Sequence, residues 1–268
     1  MEVQCEEDID NLQHSLDTLS EWSHEWQLSL SVTKCCTLDV GIGNRDTFYP
    51  HVINENEIEH VDSVRDLGVL MDTKLGFTTH VSQIVASAKQ RIFLIYRAFH
   101  TKDTKSLLLG YTSYILPLLS YCSPIWSPYT ISDIDRVEAV QRLFTRKLPG
   151  LRDLSYIQRL KVLNLPSLEL CRLRADLTLC YKILHGIIPG PPEKFGLCLA
   201  SRQSRGHSLK LAIQHTRVDT RKFYFANRIC APWNFLRSDI VEAKSVRCFK
   251  RLLRNCDLGI FLTFDCTH

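Results

Sequence analysis

The sequence has no apolar run of the roughly eighteen residues that a membrane-spanning helix requires. Its first ten residues include five acidic side chains and no basic one, the opposite of the basic start of a secretory signal peptide. These absences predict a protein without membrane association. They also predict an intracellular location, in the cytoplasm or the nucleus, between which the sequence does not decide.

The sequence also lacks the spacings of a disulfide framework or a zinc site. Its eleven cysteines are an odd number without any C-x-x-C pair, and its ten histidines have no ligand spacing. We therefore expect reduced thiols and no metal site. Phosphate-binding glycine loops, a nucleophile elbow and the H-E-x-x-H pattern are absent too, so no independent enzyme class is indicated.

What is present is the composition of a folded protein with a strong charge asymmetry. The 268 residues are 45% hydrophobic and 23% charged, enough for two modest domains. Residues 1–72 carry three basic and sixteen acidic side chains, a net charge of −13, whereas residues 73–268 carry thirty basic and thirteen acidic ones, a net charge of +17. An excess of this kind is typical of a surface that follows a nucleic-acid backbone, although the acidic segment could instead fold against the basic one.

Periodicity divides the chain into an α+β beginning and a helical continuation. Apolar residues at three- and four-residue intervals predict an amphipathic helix over residues 8–26. Alternation then predicts a small antiparallel sheet, in which residues 28–32 pair with 36–40 and further strands follow at 49–53, 57–64 and 67–71. The N-terminal domain is expected to cover residues 1–78.

Residues 79–188 are expected to be helical and residues 189–268 irregular and basic. Helices are predicted at residues 79–99, after a cap at Asp103, after a cap at Asp133, at 168–185 and at 246–253. Pro117, Pro124 and Pro128 bound a predicted loop rich in aromatic residues. The run of prolines and glycine at residues 189–192 is the predicted linker.

Some basic side chains of residues 73–268 are candidate contacts to a nucleic-acid backbone. They are Arg136, Arg142, Arg146 and Lys147 on one helix, and Arg205 in the basic tail. The aromatic residues of the loop at 121–128 and Trp233 could stack on bases. Residues of this size more often form a core between helices, and we favour that interpretation.

Several short patterns together resemble part of a reverse transcriptase. Trp22 with Ser23 and Trp26, the segment 28–34, and the run from Asp66 through Val69 are similar to the end of the palm of a non-LTR retrotransposon reverse transcriptase. The patterns at 121–128, 140–145, 159–163, 176–177, 181–183, 205–207 and 233–234 are similar to the region that follows the palm in Jockey- and CR1-like LINE elements. The resemblance extends over most of the chain, and its strength lies in the order and spacing of these pieces.

The resemblance implies roles for a few residues. In the family, palm aspartates hold two metal ions that promote phosphoryl transfer. Those aspartates should precede residue 1, so no cofactor is expected in this chain, although Mg²⁺ would serve the intact parent. Lys34 would lie near the leaving pyrophosphate, or be an ordinary exposed turn lysine. Leu67, Gly68 and Val69 would form the primer grip, or an ordinary strand with a glycine. Ser31 stands where the family commonly has asparagine, which makes the turn before Lys34 less certain.

The predicted function is that of a polymerase fragment. Residues 1–78 would be the end of the palm, residues 79–188 a thumb-like region and residues 189–268 a basic C-terminal region that together hold the RNA or DNA template and primer. By itself the chain is expected to bind nucleic acid weakly and to synthesise no DNA. The alternatives are a protein-interaction module that self-associates through an exposed palm sheet edge, or a translated remnant without function that aggregates.

Overall fold

The computed structural model describes residues 6–41, 50–100, 103–201 and 206–263. The chain divides into an N-terminal unit, Met1–Gly76, and a C-terminal unit, Phe77–His268. The first combines a long helix with short strands, the second is built mainly of helices, and 57% of the structure is helical. The α+β prediction is therefore confirmed, while the three-part division of the chain stays a prediction.

The N-terminal unit begins with helix α1, Glu6–Glu25, as its apolar periodicity predicted. The side-chain amide of Gln13 joins this helix to the sheet, because it donates to the carbonyl oxygen of Val52 at 2.9 Å and accepts from the amide of Val52 at 3.0 Å. The apolar stripe of α1 is only partly covered. Trp22 and Trp26 are 48% and 63% exposed, and their ring centroids lie 6.3 Å apart.

The strands of the described residues form two-stranded pairs rather than one continuous antiparallel sheet. Strand β1 pairs in parallel with β4, whereas β2 with β3 and β5 with β6 form antiparallel hairpins. The bounds are β1 Cys36–Thr37, β2 Val52–Ile53, β3 Asn56–Glu57, β4 Glu59–His60, β5 Ser63–Asp66 and β6 Val69–Asp72.

The predicted pairing of residues 28–32 with 36–40 is wrong. A 3-10 turn, Val32–Lys34, occupies the end of the first predicted strand, with Lys34 N–H donating to the carbonyl of Ser31 at 3.0 Å. Only Cys36 and Thr37 remain extended, and they pair with β4. Residue 49 of the next predicted strand lies outside the described residues.

The β5–β6 hairpin replaces the strand predicted over residues 67–71. Leu67 and Gly68 have φ angles of +44° and +89°, the conformation of a two-residue type I′ turn, so the strand starts only at Val69. Four residue pairs join β5 to β6, from Ser63 with Asp72 to Asp66 with Val69.

In the C-terminal unit, helices α2, Thr78–Ala98, and α6, Ile131–Arg146, run side by side. Their buried positions follow the predicted apolar stripes. The predicted cap at Asp133 is wrong, because the cap is Thr130, whose hydroxyl accepts from the amide of Asp133 at 3.3 Å. Asp133 lies in the first turn of α6, where its carboxylate accepts from the hydroxyl of Thr78 at 2.8 Å.

Helix α3, Thr104–Gly110, is capped by Asp103 as predicted, because the carboxylate of Asp103 accepts a hydrogen bond from the amide of Ser106. Hydrogen bonding with Ser106 lowers the pKa of the Asp103 carboxyl. The chain then continues through one π-helical turn, Tyr111–Ile115, into α4, Leu116–Ser120. Pro117 directly follows this π-helical turn, and because proline has no N–H, it leaves out one hydrogen bond of the continuous helical run from Thr104 to Ser120. Within the predicted loop lies a further short helix, α5, Ser123–Trp126.

Helices α7, Tyr156–Leu163, and α8, Leu168–Leu184, both start at serine caps, Ser155 and Ser167. Buried Glu138 of α6 accepts hydrogen bonds from the amides of the first two residues of α8, at 3.1 and 3.2 Å. A carboxylate at a helix start is favoured by the helix dipole. Helix α8 is thereby fixed against α6.

Residues on both sides of the predicted linker share one core. Leu177 and Tyr181 of α8 pack with Trp233, Phe249 and other buried residues beyond position 189. The short helices of this region are α9 Asp219–Lys222, α10 Phe225–Arg228, α11 Cys230–Phe235, α12 Ser238–Val241 and α13 Val246–Arg254. Among the residues that the structure describes, no helix has the length and apolarity of a membrane span.

Candidate nucleic-acid interface

The four basic residues predicted on one helix lie on α6 or at its end, on an arc of about 140° opposite the buried stripe. Two of them already have protein partners. Arg136 donates to the hydroxyl of Ser82 on α2 at 2.9 Å and lies 3.1 Å from the carboxylate of Asp133. Arg142 pairs with the carboxylate of Asp135.

The other two, Arg146 and Lys147, are exposed. Arg146 has no hydrogen bond or ion pair within the described part of the chain. The ammonium of Lys147 lies 4.2 Å from the ring centroid of Phe93 and 5.7 Å from that of Tyr96. Its charge therefore lies over the aromatic surface of α2, and no carboxylate of the described residues neutralises it. These two cations are the most available to a phosphate.

The contacts between α2 and α6 show that the helices run in the same direction. Ser82 of α2 contacts Arg136 of α6, and eleven residues further along both helices Phe93 contacts Lys147. At 1.5 Å per residue these points lie about 16 Å apart, which matches the rise of about five base pairs of duplex. The spacing corresponds to backbone phosphates about five nucleotides apart on one strand.

Helix α2 contributes cations that the sequence analysis missed. Lys89, Phe93 and Arg97 are spaced four residues apart and therefore lie on one face. Helix α2 contains no acidic residue, and this is the signal that could have revealed it. We define the α2–α6 ridge as the exposed surface formed by Lys89, Phe93, Arg97, Arg136, Arg146 and Lys147.

Arg159 adds a buried positive charge beside the ridge. Its guanidinium donates to the hydroxyl of Thr145 at 3.1 Å and to the carbonyl of Leu154 at 2.8 Å. Burial lowers the pKa of Arg159, and the positive charge of Arg146 lowers it further. Because Arg159 has neutral partners here, it leaves the local potential positive.

The remaining predicted site residues do not join this surface. Lys34 is exposed at the end of its 3-10 turn in the N-terminal unit. In the hairpin of the same unit, Leu67 is 81% exposed while Val69 is 3% exposed, so only the turn could approach a ligand. Among the described contacts, none joins Lys34 to this hairpin. Arg205 lies outside the described residues.

The large aromatic residues considered as base-stacking groups belong mainly to the core. Trp126 and Trp233 are both fully buried, and their indole N–H groups donate to the carbonyls of Tyr121 and Leu209. Tyr121 itself is 55% exposed. The interpretation of the two tryptophans as core residues is therefore confirmed.

The described residues contain no group of three or more histidine, cysteine, aspartate or glutamate side chains that could hold a metal ion. Within the part of the C-terminal unit that the structure describes, cations cluster on the ridge, in residues 217–228 and on α13, which carries Arg247, Lys250, Arg251 and Arg254. Cations of this kind neutralise phosphates without reading the base sequence.

Comparison with known proteins confirms the predicted resemblance. The chain is 29% identical over 154 residues to the probable RNA-directed DNA polymerase from transposon X-element of Drosophila melanogaster, a match that covers 54% of this chain and 16% of that protein. It is 26% identical over 148 residues to the RNA-directed DNA polymerase from mobile element jockey of Drosophila funebris, again covering 54% and 16%. For the jockey polymerase of Drosophila melanogaster the identity is 24% over 143 residues, with 52% and 15% covered.

The chain therefore spans about 16% of the length of these retrotransposon polymerases. No protein-family model matches the chain. No solved structure matches it significantly.

Proposed function

We propose that the C-terminal unit binds the sugar-phosphate backbone of nucleic acid through the α2–α6 ridge, without base specificity. The observation that carries this proposal is the availability of Arg146 and Lys147, two cations without a carboxylate partner among the described residues, beside a helix that has no acidic residue. A surface of this kind gains affinity mainly by releasing counterions from the nucleic acid.

Similarity to retrotransposon polymerases supports a more specific role. In a longer parent protein, the C-terminal unit would act as a thumb that holds the RNA or DNA template and its primer. Gly68 would let the primer backbone approach the hairpin turn, Lys34 would lie near the leaving pyrophosphate, and Mg²⁺ would be held by aspartates outside this sequence. The protein would act inside the cell, in the cytoplasm or the nucleus.

By itself the chain is proposed to synthesise no DNA. Support comes from the sequence, which has no aromatic-alanine-aspartate-aspartate motif to hold the two metal ions of phosphoryl transfer. Incubation of the purified chain with a primed RNA template, deoxynucleotides and Mg²⁺ tests this directly. Template-directed extension of the primer would disprove it.

The binding proposal is tested by fluorescence anisotropy with a labelled RNA–DNA hybrid at increasing salt. We expect the logarithm of affinity to fall linearly with the logarithm of salt concentration. The double substitution Arg146→Gln and Lys147→Gln should lower that slope by about one for each phosphate contact removed.

A matched control removes two exposed cations away from the ridge, by Lys194→Gln and Arg237→Gln. The charge change is equal, but the slope should stay near that of the unaltered chain. Equal effects of the two double variants would show that overall charge, not the ridge, attracts the nucleic acid. Affinity independent of salt would overturn the proposal altogether.

A second candidate function is protein interaction by the N-terminal unit. Leu19, Trp22, Trp26 and Leu28 are each at least 45% exposed, and helix α1 bears no lysine or arginine. Sedimentation velocity after nuclease treatment would detect self-association, and Trp22→Ser with Trp26→Ser should abolish it. Irregular aggregates instead of a defined oligomer would favour a remnant without function.

A further inference from the structure

Two aromatic rings distant in sequence stack on the surface of the C-terminal unit. The rings of Tyr129 and Phe223 lie nearly parallel, with centroids 4.6 Å apart and an angle of 3° between their planes. Tyr129 directly precedes the cap of α6, and Phe223 directly follows α9. Their stacking brings together two segments separated by more than ninety residues.

The stack is accessible. Tyr129 remains 47% exposed, although its ring is already in contact with Phe223. Tyr224 and Ile125 in the same two segments are each 50% exposed. An exposed aromatic face that is held by a second ring can receive a further flat ring with little loss of side-chain freedom.

Both segments of the stack are anchored from beneath by one side chain. The guanidinium of Arg228 donates to the carbonyl of Phe223 at 3.1 Å and to the carbonyl of Pro124 at 2.6 Å. It also donates to both carboxylate oxygens of buried Asp176. Arg228 therefore ties the backbone at Phe223 and at Pro124, five residues before Tyr129, to the buried carboxylate of Asp176.

The charges around the stack suit an anionic ligand. The ammonium of Lys222 lies 5.3 Å from the ring centroid of Phe223. Besides Arg228, which is paired with Asp176, residues 217–228 include two further basic side chains, Arg217 and Arg221, and a single acidic one, Asp219, and residues 106–132 carry no charged side chain. A flat aromatic face bordered by cations is the arrangement on which single-stranded nucleic acid binds, with its bases stacked and its phosphates neutralised.

We propose that the Tyr129–Phe223 stack is a base-stacking site for single-stranded nucleic acid, separate from the ridge that contacts the backbone. The inference rests on the proposed nucleic-acid binding and adds that the nucleic acid bound at this site is single-stranded. Bases in a duplex already cover one another, so only an unpaired base can place its face on Tyr129. RNA and DNA share this chemistry.

The test is fluorescence anisotropy of the full chain with labelled oligodeoxyadenylate and oligoadenylate, with the duplex of each, and with an abasic strand of equal length. The unaltered chain should bind both single strands more tightly than the abasic strand. Tyr129→Leu should weaken single-strand binding about tenfold. It should leave duplex and abasic binding unchanged, because the phosphate contacts persist.

Two further variants separate stacking from folding. Tyr129→Trp retains an aromatic face and should preserve single-strand affinity. Phe235→Leu removes another half-exposed ring, which packs against Phe261 rather than at the stack, and should change nothing. Circular dichroism and thermal unfolding check that each variant is folded.

The possible outcomes distinguish this inference from the binding proposal. If the unaltered chain binds duplex and abasic strands but Tyr129→Leu has no selective effect on single strands, the stacking site is wrong and the ridge stands. If none of the probes binds, both are wrong. If the exposed rings instead mediate association of the chain without nucleic acid, concentration-dependent sedimentation that is lost in Tyr129→Leu would overturn the inference in favour of a protein interface.

Discussion

Arg228 and Asp176 form a bidentate ion pair in the interior of the C-terminal unit. The guanidinium of Arg228 donates from Nε to one carboxylate oxygen at 2.8 Å and from a terminal nitrogen to the other at 3.1 Å. The side chain of Asp176 is 4% exposed and that of Arg228 is 18% exposed. The pair joins α8 to α10 and, through the carbonyl bonds of Arg228, to both segments that present the Tyr129–Phe223 stack.

The substitution Arg228→Met is expected to destabilise the C-terminal unit by about 3 to 5 kcal/mol, because it leaves a buried carboxylate without its partner. Urea denaturation followed by tryptophan fluorescence measures the loss, since Trp126 and Trp233 are fully buried. Arg237→Met breaks a surface pair with Asp239 and should cost at most about 1 kcal/mol. Similar losses for both variants would contradict an interior role for the Arg228 pair.

Glu138 should be equally important to the junction of α6 with α8. It accepts from the amides of Leu168 and Glu169 and from the hydroxyl of Tyr156, whose pKa is raised by burial and by this carboxylate. Glu138→Leu leaves these donors unsatisfied and should cost about 2 to 4 kcal/mol in urea denaturation.

The matched control is Glu193→Leu. Glu193 is exposed, so its loss should change the free energy of unfolding by about 0.5 kcal/mol or less. Glu138→Gln retains an acceptor oxygen, so its loss in the free energy of unfolding should lie between those of Glu138→Leu and Glu193→Leu. A loss at Glu138→Leu no larger than that of the control would refute the capping role.

The locally encoded elements were predictable from the sequence. The periodicity of α2, α6 and α8 reports which face each helix buries, and a cap such as Asp103 requires only residues one turn away. The predicted strand at residues 28–32 failed because alternation cannot identify a partner. Cys36 and Thr37 pair with Glu59 and His60, more than twenty residues later.

The candidate sites were predictable only in part. Arg146 and Lys147 were found because they are charged and off the buried stripe of α6. Phe93 belongs to the site because the ammonium of Lys147 lies over its ring, and Tyr129 belongs to it because its ring stacks on Phe223. Such juxtapositions depend on how helices pack, which no local pattern in the sequence records.

Acidification should destabilise the C-terminal unit through His207. This side chain is 2% exposed, its Nε2 lies 3.1 Å from the carbonyl of Trp233, and its Nδ1 has no hydrogen-bond partner among the described residues. Burial lowers the pKa of His207 in the folded chain. The unfolded chain therefore takes up the proton first, and stability that is complete above about pH 6.5 should be lost as the pH falls below it.

Urea midpoints measured at a series of pH values on either side of that point test the expectation. His207→Gln should flatten the acid side of the profile, whereas His215→Gln, at an exposed position, should not. A profile unchanged by His207→Gln would assign the acid sensitivity to other groups.

Leu67 is expected to weaken the hairpin that the family resemblance assigns to primer binding. Its φ of +44° is costly for a residue with a branched side chain, and the side chain is 81% exposed and so gains little from packing. Leu67→Asn should relieve this strain and stabilise the β5–β6 hairpin by up to about 1 kcal/mol, because asparagine tolerates the left-handed region.

Hydrogen exchange of the amides of residues 63–72 measures the change. The control is Leu28→Asn, at a leucine that is 56% exposed but has no positive φ. Slower exchange in Leu67→Asn alone would show that the turn is held in a strained conformation, whereas faster exchange would mean that the leucine side chain itself supports the hairpin.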